Sequence, residues 1–202
     1  MPDPAATAAG LTYRAARPAD AQAIAGLHAD SWRRHYRGAF TDAFLDEEAA
    51  GFLGDMWADR CAGPDPSART ILAESDGTVV GLAHTILGRD PTWGALLENL
   101  HVSYDLKRQG VGTRLLALSA RAVLDAAPAS GLYLWVLEQN AAARSFYEAR
   151  GGVCVEQRPA GAPGGDRTKL NGEPVGLRMA WPNPSRLLLA GGVRGLAGGV
   201  RG

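Results

Sequence analysis

The residues Lys107-Arg108-Gln109-Gly110-Val111-Gly112-Thr113 join an apolar run, ALLENLHV, to an amphipathic one, GVGTRLLALSARAVLDAA. A junction of this composition has a definite chemical capability. Small residues let the backbone turn sharply and leave successive N–H groups uncovered, and a helix that starts there points its positive dipole end at them. Those amides, together with the charges of Lys107 and Arg108 and the hydroxyl of Thr113, would hold a phosphate. The plainer alternative is a tight turn with a solvated basic rim. Neither GxxxxGKS/T nor GxGxxG is met, because only Gly110 and Gly112 are present, and this weakens the nucleoside triphosphate and dinucleotide readings.

Other reactive groups lie nearby in sequence. Glu98 sits on the apolar run, where strict alternation puts it on one face with Leu100 and Val102; it reads equally as a strand-edge acid paired to an arginine. Tyr147 follows Phe146 in NAAARSFYEARG, where an isolated tyrosine reads as core, and Asn140 opens that segment as a helix cap. Trp32 and Tyr36, at i and i+4, share a helix face, as ordinary core aromatics do. None of the four histidines has a metal-ligand spacing such as HxxxH, and no metal is assigned. Cys61 and Cys154, far apart and outside any CxxC, read as core thiols in a reducing cytosol.

The elements that must position these groups follow from periodicity. The order reads β, α, α, β, β, β, α, β, α, β, β, an α/β or α+β sheet that mixes hairpins with strand–helix–strand units. Asp76-Gly77 marks the hairpin between the second and third strands. In the helix after the glycines, Val111, Leu115, Leu118 and Val123 form the inward stripe. With 202 residues and 46% hydrophobic content, the chain suffices for one domain with a sizeable core. The 21 basic and 21 acidic residues cancel, leaving no global field to gather nucleic acid or an anionic membrane. The opening MPDPAATAAG has neither the basic nor the apolar region of a secretory signal, and no apolar run of about 18 residues follows. The expected organisation is a flexible leader over 1–10, a domain over 11–182 and a glycine-rich flexible tail over 183–202, where AGGVRG occurs twice.

From Leu96 to Gly152 the sequence resembles the GNAT superfamily of acyl-CoA-dependent N-acetyltransferases, and in outline the resemblance runs from Leu11 to Trp181. The family pattern is Gln or Arg, two residues, Gly, one residue and Gly or Ala after the fourth strand, then an Asn-led helix with a Tyr before a Gly-Phe turn. Here Lys107 stands where Gln or Arg is usual, and Gly152 replaces Phe, a change expected to loosen packing after the helix. The resemblance implies a GNAT fold: a mixed, mostly antiparallel sheet of six or seven strands flanked by about four helices. It further implies that the coenzyme A pyrophosphate lies on the amides of Gln109 to Thr113 and that the pantetheine arm runs along Leu100, His101 and Val102 like an added strand. Asn140 would bond the pantetheine amide.

Acetyl transfer to an amine needs an unprotonated amine, stabilisation of the carbonyl oxygen and a proton for the departing thiolate. By resemblance Tyr147 supplies the proton, Trp32 and Tyr36 line the acceptor cleft, and Glu98 is the nominated base, although many relatives carry the carboxylate where this chain has Leu96. The backbone N–H of Val102 or His101 would meet the oxyanion, and His84 would face the acceptor. The expectation is a cytoplasmic acetyl-CoA-dependent enzyme without a metal, acting on a small-molecule amine or peptide N-terminus. Neither nucleic acid nor membrane is an expected partner, and a homodimer is left open. The alternative is a noncatalytic acyl-CoA-binding sensor of the same fold.

Overall fold

The computed structural model describes residues 10–192. Seven strands form one sheet in the order β1-β2-β3-β4-β5-β7-β6. They are β1 (Leu11–Ala15), β2 (Ala68–Ser75), β3 (Thr78–Asp90), β4 (Gly94–Val102), β5 (Leu132–Leu137), β6 (Val153–Pro159) and β7 (Val175–Trp181). Every neighbouring pair is antiparallel except β4 and β5, which are parallel. The helices are α1 (Ala21–His35), α2 (Ala49–Cys61), α3 (Val111–Ala126), α4 (Ala141–Glu148) and the short α5 (Ser185–Ala190). This is the expected mixed, mostly antiparallel architecture. Asp76 and Gly77 both take positive φ, 48° and 77°, as the hairpin between β2 and β3 requires.

Alternation along the strands assigns the helices to faces. Ala95, Leu97, Leu100 and Val102 of β4 join the cluster of α3, which includes Val111, Leu115, Leu116 and Val123. His101 points the other way, with its Nδ1 2.8 Å from the Ser31 hydroxyl of α1. On that second face α1 and α2 bury Ile24, Leu53 and Trp57 against Leu72 and Leu82. The inward stripe of α3 uses Leu116, which is buried, and leaves Leu118 only partly covered. Asp20 does not cap α1. Its carboxylate accepts from the Arg17 backbone N–H at 2.6 Å and pairs with Arg14.

Three further expectations are corrected. Gly152 does not loosen the turn after α4: a Cβ there would meet Trp181 Cζ2 at 2.7 Å, so an indole from β7 fills the space beside it. Cys154 is exposed on β6, and Cys61 is only partly buried. The expected tail begins as structure: residues 185–190 form α5, with Leu187 and Leu188 buried in the α3 cluster. Arg114 of α3 donates to the Gly191 carbonyl at 2.7 Å. A leucine triplet supplies apolar area that the neighbouring glycines obscure in the sequence. Residues 1–9 of the expected leader and the rest of the tail lie outside the described residues.

Because Leu187 is 2% exposed, Leu187→Ala should lower unfolding free energy by about 2–5 kcal/mol, as for other buried leucines, measured by urea denaturation. A change under about 0.5 kcal/mol would show that α5 does not pack on α3.

Candidate active site

The parallel pair at the centre of the sheet is short. β4 and β5 are in register only at Ala95–Leu132 and Leu96–Tyr133, and beyond Leu96 the β5-facing edge of β4 has no strand partner among the described residues. Ser103 donates its N–H to Val80 of β3 at 2.8 Å. Alternation therefore turns the N–H of His101 toward β3 and leaves those of Leu100 and Val102 facing the opening. Of the two oxyanion donors that the sequence suggested, the Val102 N–H faces the opening and the His101 N–H faces β3.

The glycine junction closes one end of this opening. Arg108 and Gly110 both adopt left-handed backbone, φ 65° and 84°, before Val111 starts α3, and a non-glycine residue held there is strained. Gly112 has an ordinary φ, and a Cβ on it would make only van der Waals contact, 3.4 Å from Phe146 and 3.6 Å from Val102. Packing inside the protein therefore does not demand a glycine at this position. Lys107 does not point freely at the cradle, since its Nζ lies 2.6 Å from His35 Nε2. Thr113 is also engaged. Its hydroxyl accepts from Arg150 Nε at 2.9 Å and from a terminal nitrogen at 2.6 Å, while the guanidinium lies over the Phe146 ring at 3.8 Å. Arg150 is a cation at the cradle for which the sequence carries no spacing signal.

α4 lines the other side. Asn140 caps it, its side-chain oxygen accepting from the Ala143 N–H at 3.2 Å. About two turns on, Tyr147 is 8% exposed, edge-on to Phe146 and Trp181. Burial, reinforced by the Tyr36 phenol, pushes its pKa well above the ordinary tyrosine value, so it is a proton donor throughout the physiological range. Tyr147 belongs to the cluster under α3, and Tyr36 packs against the separate cluster at the end of α1.

On the α1 face the gap opens into a cleft of about 370 Å³ that includes Trp32, Tyr36, Glu98, Asn99 and Trp135. Glu98 reaches it through a bulge. Asn99 pairs with His84 and Leu97 with Thr85, which leaves Glu98 as the extra residue on β4. The bulge breaks the alternation that the sequence implied: Glu98 does not share a face with Leu100 and Val102 but turns, with Asn99, toward α2. There Arg60 binds both, 2.5 Å to the Glu98 carboxylate and 3.2 Å to the Asn99 carbonyl oxygen. Burial pushes the Tyr36 phenol up to about 12.

His28 also lines the cleft. With Trp32 and Tyr36 it makes an i, i+4, i+8 row on α1, a signal legible in the sequence. His84 is elsewhere, in a larger cavity of about 660 Å³ beyond Arg60 that contains no residue of β4 or β5. There its Nδ1 lies 2.8 Å from the Thr70 hydroxyl, and burial and Arg60 push its pKa down to about 4. Among the described residues, no group of three or more His, Cys, Asp or Glu side chains can hold a metal, and no helix is long and apolar enough to cross a membrane.

The pattern of the acetyltransferase (GNAT) family matches residues 13–152, which run from β1 to the turn after α4 and so include the parallel pair and the glycine junction. The chain belongs to the GNAT family of acetyltransferases. Rv2775 of Mycobacterium tuberculosis, a probable N-acetyltransferase, is 29% identical over 148 residues, covering 69% of this chain and 78% of that protein. YuaI of Bacillus subtilis, an uncharacterised N-acetyltransferase, is 29% identical over 143 residues, with the same coverage. Among solved structures, PaiA N-acetyltransferase from Thermoplasma acidophilum in complex with coenzyme A aligns with a TM-score of 0.65 at 15% identity, covering 86% of this chain and 100% of that one. A variant of the spermidine N-acetyltransferase SpeG from Vibrio cholerae aligns at 0.61 with 19% identity, covering 88% and 96%. At these identities the structures establish the shared fold. Family membership makes this chain an acetyl-CoA-dependent N-acetyltransferase.

Two measurements check the GNAT site. Gly112→Ala should leave stability unchanged or raise it by up to about 1 kcal/mol, since alanine favours helix and the Cβ fits, yet should weaken acetyl-CoA binding at least about tenfold by calorimetry. Unchanged affinity would remove Gly112 from the cofactor cradle. Burial also depresses the pKa of His28 and takes that of His101 down to about 3, from 6.5 in an open chain. Their contribution to stability is therefore full above about pH 6.5 and is lost as pH falls toward the depressed values. The urea midpoint should drop between pH 7.5 and pH 5.5, both chosen on the order of one unit from that value, and drop less in His101→Phe. Equal slopes would mean that His101 protonates without cost in the fold.

Proposed function

We propose that this GNAT enzyme transfers the acetyl group of acetyl-CoA to the primary amine of a small molecule or a peptide N-terminus, by direct attack within a ternary complex. The observation that carries the proposal is the Tyr147 phenol, which is held protonated at the splay, with no hydrogen bond to its hydroxyl among the described residues.

The residues fit acetyl-CoA on grounds internal to the structure. Unpaired N–H groups at Leu100 and Val102 suit an extended amide-bearing arm, and the bare α3 N-terminus at Gly110 to Thr113 suits a pyrophosphate. Acetyl-CoA supplies an activated thioester carbonyl. The protein's own groups do the rest: Val102 N–H donates to the carbonyl oxygen, Glu98 takes one proton of the incoming ammonium directly or through water, and Tyr147 protonates the sulfur as its bond to carbon breaks, the phenol being restored by the second proton that the new amide nitrogen sheds. Arg60 fixes the Glu98 carboxylate toward the cleft, which makes it a positioning residue. Direct attack is favoured because neither cysteine lines the cleft, so no thiol is placed to carry the acetyl group in between.

Tyr147→Phe keeps the ring and deletes the donor. It should lower kcat by about 10²- to 10⁴-fold with little change in acetyl-CoA affinity, read by release of free coenzyme A thiol across an amine panel. A normal kcat would make Tyr147 packing alone. Tight acetyl-CoA binding without acetylation of any amine, even by the unaltered protein, would replace the enzyme with a binding protein. Glu98→Gln should depress the rate most at low pH, where the acceptor is mostly protonated. A constant ratio of variant to parent rate across pH would leave Glu98 a structural partner of Arg60.

A further inference from the structure

The acceptor cleft has opposite charges on opposite walls. On the β4 wall the charge is Glu98. On the far wall it is Arg158 of β6, which pairs across β7 through Gly176 with Leu137 at the end of β5. The two differ in how fully they are engaged. Glu98 is ion-paired to Arg60. Arg158, among the described residues, has no ion pair and no side-chain hydrogen bond. Its neighbour Glu156 is committed to Arg178 at 2.8 Å.

Arg158 is nevertheless held in place. Its guanidinium lies 3.8 Å from the centre of the Trp135 ring, which also lines the cleft. Stacking uses the face of the guanidinium and leaves its edge free, and that edge presents parallel N–H donors spaced for the two oxygens of a carboxylate. With Arg60 and Arg158 against Glu98, the cleft carries one uncompensated cation, and the floor between the walls is aromatic: Trp32, Tyr36 and Trp135. A polycation would meet Arg158 unfavourably. A molecule with an amine at one end, an apolar body and a carboxylate at the other would satisfy both walls.

We infer that the acceptor is amino acid-like, a primary amine whose apolar body carries a carboxylate, and that Arg158 is the residue that selects it. This rests on the acetyl-transfer reading above. It adds no step to that chemistry: the new N–acetyl bond forms at the amine end while the carboxylate is only bound.

The test compares para-aminomethylbenzoate with its carboxamide and with the corresponding phosphonate, at saturating acetyl-CoA. The pair keeps the amine and the ring and changes only the distant group. The carboxylate should be favoured over the carboxamide by about 10- to 100-fold in kcat/KM, carried by KM, the range for a hydrogen bond to a charged group. Arg158→Gln should collapse that ratio toward one, and Arg158→Lys should keep part of it. The inference is overturned by equal kcat/KM for carboxylate and carboxamide, by a preference that survives in Arg158→Gln, or by a phosphonate preferred to the carboxylate. Acetylation of other amines but of none of these also overturns it, with the acetyl-transfer reading intact. Acetylation of no amine at all overturns both.

Discussion

A parallel strand pair that separates after two residue pairs leaves backbone N–H groups exposed in the middle of a sheet, and the site is organised around that separation. Leu100 and Val102 are only partly covered, so the open edge offers backbone donors to whatever lies along it. The bulge at Glu98 belongs to the same event. One extra residue on β4 increases the local twist and changes the alternation, so that an acid and an asparagine emerge together on the α1 face. Without the bulge Glu98 would point into the cluster beneath α3. The opening also joins two faces that a closed sheet would isolate.

Around the gap, polar groups are held ready. The Trp57 indole can only donate, and it donates to His28 Nδ1 at 3.1 Å, so His28 carries its proton on Nε2. That Nε2 is buried without a partner among the described residues, an arrangement that costs about 1–3 kcal/mol. The left-handed backbone at Arg108 is a second such cost. His28 lines the cleft and Arg108 lies in the junction ahead of α3, and the apolar clusters under α3 and α1 must offset both costs.

Much of this was legible from residue types, and the limits have physical causes. The turn at Gly110 ahead of α3, the cap at Asn140 and the contact of Trp32 with Tyr36 depend on local geometry, which spacing encodes. Glu98 was found but placed on the wrong face, because a bulge is a property of two paired strands and the strict period of one strand hides it. Arg60, Arg150 and Arg158 were not singled out. Each acts on a residue far away in sequence, Glu98, Thr113 or Trp135, and each is one arginine among many. His84 was misplaced for a related reason: its position opposite Thr70 of β2 is a matter of strand pairing, and it lines the other cavity. The start of the tail was misjudged because the glycines around residues 185–190 dominate the composition, whereas the leucines determine the packing.

The central claim is that the β4 edge is completed by acetyl-CoA as if by another strand. Amide hydrogen exchange, followed with and without acetyl-CoA, tests it residue by residue. Protection should rise at Leu100, Val102 and the amides from Gly110 to Thr113, while His101, already turned toward β3, should change little. Tight binding of acetyl-CoA with no added protection at Leu100 and Val102 would contradict the account.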